Sequence, residues 1–268
     1  GYDHADTFTE GGAAGLLATA TATVTDADGD LLVSITVTLT NLLDGANEAL
    51  AADTTGTAIA AAYDPATGVL TLNGLDTAAA YQQVLRTLTY ENVSSTLTMT
   101  PRLITFVASD GTGVSALRTT TIAMVAVDDA PVIDLNGPAP GTDFTTNATE
   151  DASPVALAAP DATLTDPEGD PIESLTVTLT NPLDGTAESL AADPTGTAIG
   201  VLWDAGAAAL RLTGTDTAAH YQQVLRTVVY ANTSQAPDAT PRVITFVARD
   251  GLAASLVRTT TVSIVATN

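Results

Sequence analysis

Short runs in which apolar residues alternate with threonine recur along the chain: Ala22-Thr23-Val24-Thr25, Ile35-Thr36-Val37-Thr38-Leu39-Thr40, Val69-Leu70-Thr71-Leu72, Ile104-Thr105-Phe106-Val107 and residues 121–127. A period of two in β-branched residues turns one face to a core and the other to water, so each run predicts a half-buried strand. Asp44-Gly45, Asn73-Gly74 and Asp110-Gly111 predict turns between them. One segment departs from the pattern. Asp76, read as an N-cap, precedes helix formers from Thr77 to Arg86 that place Tyr81, Val84 and Leu85 on one face, which predicts a short helix across one end of a sandwich.

The whole pattern then repeats. Residue i matches residue i plus about 140 without a gap, and roughly half of the pairs are identical. Tyr81-Gln82-Gln83-Val84-Leu85-Arg86-Thr87 returns as Tyr221-Gln222-Gln223-Val224-Leu225-Arg226-Thr227, and Pro101-Arg102 as Pro241-Arg242. So long a period fits whole domains in tandem, each with its own core. The expectation is an all-β chain of two immunoglobulin-like Greek-key sandwiches, about seven strands and one short helix each, with boundaries at 1–130 and 131–268.

Composition narrows the function. The 268 residues carry 31 acidic side chains against 8 basic ones, all arginine, for a net charge of −23. That balance argues against nucleic acid or an anionic membrane surface as a partner and favours cations. No cysteine is available for disulfide staples. No apolar run reaches the eighteen or so residues of a membrane span, and Gly1-Tyr2-Asp3-His4 has none of the regions of a signal peptide. The chain begins and ends at the same phase of the repeat, so it is expected to come from a longer array whose targeting signals lie elsewhere.

The acids are clustered. Asp26-Ala27-Asp28-Gly29-Asp30 follows a predicted strand, its counterpart is Asp166-Pro167-Glu168-Gly169-Asp170, and Asp128-Asp129 and Asp134 crowd the join between the copies. Alternating acids around a glycine turn can point their oxygens at one hard cation, which takes six to eight of them. The opening spacing is that of an EF-hand loop, but no glutamate stands at the twelfth position and no helices flank it. A solvated acidic turn is the other reading of one such loop alone.

These pieces together resemble cadherin repeats. Val24-Thr25-Asp26-Ala27-Asp28 resembles the loop after the second cadherin strand, and Val127-Asp128-Asp129-Ala130-Pro131-Val132 the cadherin linker. Thr67-Gly68-Val69-Leu70-Thr71-Leu72-Asn73-Gly74-Leu75-Asp76 is similar to the strand that leads to the Asp-Arg-Glu loop. Asp110-Gly111 resembles the aspartate of the last loop, and Glu10 the early glutamate. The wider text is similar to repeats of large bacterial surface adhesins.

The resemblance implies calcium at the joint between repeats. Its ligands would be Glu10, Asp76, Asp128 and Asp129 from the first repeat and linker, and Asp166, Glu168, Asp170 and Asp250 from the second, with Asp134 and Asn136 as further linker oxygens. Outer half-sites would be Asp26, Asp28, Asp30 and Asp110 at the start and Glu150 and Asp216 at the finish, incomplete for want of neighbouring linkers. The family's Asp-Arg-Glu is Asp76-Thr77-Ala78 here, the linker lacks the usual asparagine pair, and Pro131 lies farther from Glu150 than in animal cadherins. One or two ions per joint are therefore expected, with residues 134–143 forming a loop of their own.

Nothing else points to chemistry. Asp53-Thr54-Thr55-Gly56 looks like an aspartic-protease signature, but the second copy reads Asp193-Pro194-Thr195-Gly196. His4 and His220 have no repeated partner and are expected at the surface, and the sequons at Asn92, Asn147 and Asn232 are short patterns. The function expected is that of an extracellular or cell-surface extender, monomeric and not an enzyme, whose partners are neighbouring repeats and another cell surface or a glycan. The alternative is a carbohydrate- or ligand-binding module of a large secreted protein. It requires an exposed aromatic face, for which Trp203 is the one candidate and the few aromatics are poor support.

Overall fold

The computed structural model describes residues 3–267 and divides the chain into two compact units, Gly1–Val127 and Asp128–Asn268. The first unit contains β1 (His4–Thr9), β2 (Gly15–Leu16), β3 (Leu32–Leu39), β4 (Glu48–Ala51), β5 (Ala60–Asp64), β6 (Val69–Asp76), β7 (Thr89–Asn92), β8 (Arg102–Ser109) and β9 (Arg118–Val125), with one helix, α1 (Ala78–Leu85). They form a sheet of order β1-β9-β8-β3-β6-β5 facing a smaller one of order β2-β7-β4. Phe8, Leu17, Val37, Leu72, Tyr90 and Ile122 are among the buried residues between them.

The expected all-β tandem sandwich is present, with nine strands in this unit where about seven were expected. Part of the excess is one edge segment that changes sheets: β1 runs parallel to β9, whereas β2 pairs antiparallel with β7. The hairpin of β5 with β6 adds the rest.

Three local expectations need correction. Asn73-Gly74 is no turn but lies inside β6, where Gly74 has φ +154 and a Cβ would sit 2.2 Å from the Ala58 carbonyl oxygen, so only glycine fits. The helix is capped by Thr77, whose hydroxyl accepts from the Ala80 N–H at 3.2 Å, and not by Asp76. Residues 22–25 form no strand, although their counterpart in the second unit does. The sequon asparagine Asn92 is buried and bonded to Asp44, in keeping with a pattern that arises by chance.

The second unit repeats the plan with β10 (Val132–Asp134), β11 (Phe144–Thr149), β12 (Val155–Ala156), β13 (Thr163–Thr165), β14 (Ile172–Leu179), β15 (Glu188–Ala191), β16 (Gly200–Asp204), β17 (Ala209–Asp216), α2 (Ala218–Leu225), β18 (Val229–Asn232), β19 (Arg242–Arg249) and β20 (Arg258–Val265). Its sheets run β11-β20-β19-β14-β17-β16 and β12-β18-β15, and β10 pairs with β13 as an addition. Among the described residues no helix is long and apolar enough to cross a membrane.

A buried ionic network fastens the two sheets in each unit. Arg102 of β8 reaches Glu48 of β4 through Nε and Asp44 through Nη2 at 2.6 Å, and its Nη1 donates to the carbonyls of Thr98 (2.8 Å) and Thr100 (2.5 Å). Glu48 accepts from the Tyr90 hydroxyl at 2.7 Å and from the Asp44 N–H at 2.7 Å. The second unit reproduces it with Arg242, Glu188, Asp184 and Tyr230. Each charge is paired and every nitrogen of both guanidinium groups donates, which is the condition for tolerating ions in a core.

Two predictions follow from this network. Arg102→Ala leaves Glu48 charged and buried, at a cost of about 3–5 kcal/mol. Calorimetry should show the first unit's transition lowered and the second's unmoved. Burial pushes the Asp44 carboxyl up, but bonds from Thr98 and Asn92 and the Arg102 charge outweigh it and hold the group below its usual range. A depressed folded value means stability that is present above the unfolded pKa, near 4, and lost as pH falls through the folded one. Denaturant titrations of the first unit in chelator should be flat from about pH 7 to 5 and fall below about 4.

Candidate metal centre

In the second unit the turn from β13 to β14 is built around one aspartate. Asp166 Oδ1 accepts the Asp170 N–H at 2.9 Å, its carbonyl accepts the Gly169 N–H at 3.3 Å, and Gly169 takes φ +82, which favours glycine. The curl brings one oxygen each of Asp166, Glu168 and Asp170 within 4.8 Å of one another. Asp250, just past β19, uses Oδ1 in the same manner to accept the N–H groups of Leu252 and Ala253, both at 2.7 Å. Asp128 and Asp129 precede β10, and the Asp129 N–H donates to Glu168 Oε2 at 3.3 Å.

The second oxygens are the notable ones. Asp128 Oδ2, Asp166 Oδ2, Glu168 Oε1 and Asp250 Oδ2 are buried without a hydrogen-bond partner among the described residues. The Asp128 carboxyl is pushed above its ordinary value, first by burial and then by the charges of Asp250, Asp170, Asp166 and Asp129. Glu168 is raised too, chiefly by burial, with Asp129 and Asp166 adding to it and the backbone N–H groups of Glu168 and Asp129 opposing. Burying a carboxylate oxygen without a partner is expensive, and placing several together compounds the cost. A proton on one of them would offset part of this; a divalent cation would offset more. The donor set is oxygen throughout, without nitrogen or sulfur, and suits a hard ion of high coordination number such as Ca2+.

The other sequence-derived candidates are placed as follows. Asp26 accepts from Asp28 (3.1 Å) and Asp30 (2.9 Å), and Asp110 from Thr112 and Gly113 (both 2.6 Å), so the first unit has the same loops. None of their oxygens is among the buried, unpartnered ones. Glu10 accepts the Val127 N–H at 3.0 Å and Glu150 the Thr267 N–H at 2.8 Å, so each early glutamate is tied to the chain just after its unit's last strand.

Asp76 receives the N–H groups of Ala58 (2.8 Å) and Thr77 (2.7 Å), and Asp216 those of Ala198 (2.9 Å) and Thr217 (2.8 Å). These bonds hold both carboxyls below their usual range, Asp216 with help from His220, whose Nδ1 is 2.6 Å from it. Asp134 and Asn136 fall elsewhere. Asp134 lies opposite Thr163, three residues before Asp166 and so about 10 Å along the ladder. Its carboxylate accepts the Asn136 N–H, and the Asn136 side chain donates to Pro140, so both residues are engaged in shaping the 134–140 loop.

Comparison with protein-family models and with curated protein sequences finds no match. Among solved structures the chain is similar to mouse cadherin-23 EC22-24, with 12% identity over 100% of this chain and 63% of that one and a TM-score of 0.36. It is similar to human CDH23 EC21-23, with 14% identity over 99% and 73% and a TM-score of 0.32. It is also similar to the tandem Ig repeats of Dlar, with 10% identity over 82% and 84% and a TM-score of 0.25. The chain thus spans a little under two thirds of the mouse cadherin fragment.

Proposed function

We propose that this chain is a pair of calcium-binding extender repeats of an extracellular surface adhesin, and that its work is to hold distance. One observation carries the reading: four buried carboxylate oxygens without partners, from Asp128, Asp166, Glu168 and Asp250, surrounded by the charges of Asp129 and Asp170. Ca2+ there would supply the counter-charge and take up the unpaired oxygens; the protein's part is to fix them in place through the N–H bonds to Asp166 Oδ1 and Asp250 Oδ1. Glu10 and Asp76 are the first-repeat residues that the cadherin resemblance assigns to the same joint. An ion shared in that way ties the acidic linker to both repeats and stiffens it.

Linkage sets the scale. An ion that binds only the folded protein stabilises it by RT ln(1 + [L]/Kd), about 2.7 kcal/mol at a hundredfold excess over Kd. The second unit's melting temperature should therefore rise when calcium replaces chelator, and isothermal titration should give saturable heat. Asp166→Ala combined with Asp170→Ala should abolish both effects while the first unit melts as before. A titration curve unchanged in the double variant would overturn the assignment.

The stiffening has its own readout. Small-angle scattering of the intact chain should give a larger maximum dimension in calcium than in EDTA. Equal dimensions would reject the spacer mechanism even if an ion binds.

A further inference from the structure

Six of the eight arginines serve the fold. Arg102 and Arg242 hold the buried networks, Arg86 and Arg226 donate through Nε to the carbonyls of Ala22 and Ala162 at 2.8 Å, Arg258 donates to the Ile133 carbonyl, and Arg118 is engaged as well. The other two, Arg211 and Arg249, are exposed, and their guanidinium groups have neither a hydrogen bond nor an ion pair among the described residues. Both belong to the second unit. At the offset of 140 residues the first unit has Thr71 and Ser109 in their places.

The ladders put the pair on one surface. Arg211 lies opposite Thr176 and Leu202, Arg249 lies opposite Ser174, and Ser174 lies opposite Thr213. Successive side chains of a strand point to opposite faces, and Leu175, Val177, Leu210 and Leu212 fill the inner one, so these six residues share the outer face of β19, β14, β17 and β16. The arginines stand two strands apart and two residues out of register, about 10 Å across the sheet and about 7 Å along it, close enough for their long side chains to close on one oxyanion or hold two neighbouring ones. Leu202 beside them is 63% exposed, whereas Trp203 packs inward against the core and offers no stacking platform. The acids at the margins are otherwise placed. Asp204 accepts the N–H groups of Gly206 and Ala207, the Glu173 carboxyl covers Gly251, and Asp250 turns one oxygen to the Leu252 N–H and buries the other.

We infer that this face of the second unit binds an anionic polysaccharide, a sugar chain bearing carboxylate or sulfate groups. Guanidinium groups recognise either oxyanion through paired N–H donors. Ser174, Thr176 and Thr213 add hydroxyls that both donate and accept, which matches the hydroxyls that a sugar chain presents along its length, and Leu202 adds apolar surface for the C–H side of a ring. A peptide added as a strand is excluded here, because β19, β14 and β17 are interior strands whose backbone groups are already paired; recognition has to come from side chains. A single polymer strand also suits the charge. With screening over about 8 Å it meets the arginine pair more than the acids elsewhere on the chain, whereas a membrane plane would meet many of those acids at once.

The test titrates the full chain with a uronate polymer, with dextran sulfate and with neutral dextran. Measurements in EDTA keep any metal effect out, so this inference and the calcium reading fail separately. Saturable binding to at least one of the anionic polymers, weakened by salt, is expected, with none to neutral dextran; the tighter of the two identifies the oxyanion. Arg211→Thr combined with Arg249→Ser copies the first unit's own residues at exposed strand positions, so melting should be unchanged while affinity falls on the order of tenfold or more. Equal affinity in the double variant, or no binding to either anionic polymer, would overturn the proposal. So would polyglutamate or anionic vesicles held as tightly through the same arginines, because the face would then read charge and no sugar.

Discussion

A sandwich without disulfides must hold its two sheets together by other means, and here a buried arginine does so in each unit. Arg102 stands on β8 of the large sheet, while its partner Glu48 and the hydroxyl of Tyr90 belong to β4 and β7 of the small one. Ion pairs in cores are not inherently stabilising, since desolvation takes back most of the Coulomb gain. What they supply is a demand for one geometry. A slip of β4 or β8 by two residues would keep the alternation of faces yet leave Arg102 and Glu48 unpaired, so the network selects one register among those that the alternating strands allow. The Phe8 ring, edge-on to Tyr90 at 5.4 Å, carries that choice to the edge strand β1.

The same principle with the opposite outcome defines the acidic cluster. In the core every anion has a cation and several N–H or O–H donors; around Asp128 there are anions and few donors. Asp166 and Asp250 each commit one oxygen to their own turns and leave the other buried and free. An oxygen fixed by the backbone loses little further entropy on binding an ion, so the turns preorganise the site.

Some of this was legible in the sequence and some was not, for definite reasons. Asp166, Glu168 and Asp170 lie in one short loop, where spacing alone suffices to bring them together. Asp250 lies some eighty residues on, and no periodicity connects it with Asp128; the family resemblance suggested the pairing. The resemblance misplaced Asp134 and Asn136, because nothing in a linear reading shows that β10 runs back along β13 and carries them off. Strand positions were readable where one face is buried, and the helix where Tyr81 and Val84 repeat at its period. Asn73-Gly74 misled because a glycine needed for close approach to Ala58 looks the same as one needed for a turn. Residues 22–25 misled because a strand requires a neighbour as well as a composition.

That last failure bears on the acidic cluster as well. Residues 128–135 carry both the acids that crowd the β13–β14 loop and the strand that closes the sandwich beside it, and Pro131 separates the two tasks because it lacks an N–H for strand pairing. Since β13 runs directly into Asp166, the strand added by β10 and the turn that presents the carboxylates share a backbone. Pairing at Val132 and Thr165 fixes the start of the turn, and an ion in the turn would hold the end of the pairing. The two contributions are therefore cooperative. The second unit is thus completed by the segment ahead of its edge strand β11, so the order of residues 132–135 and the folding of that unit depend on each other.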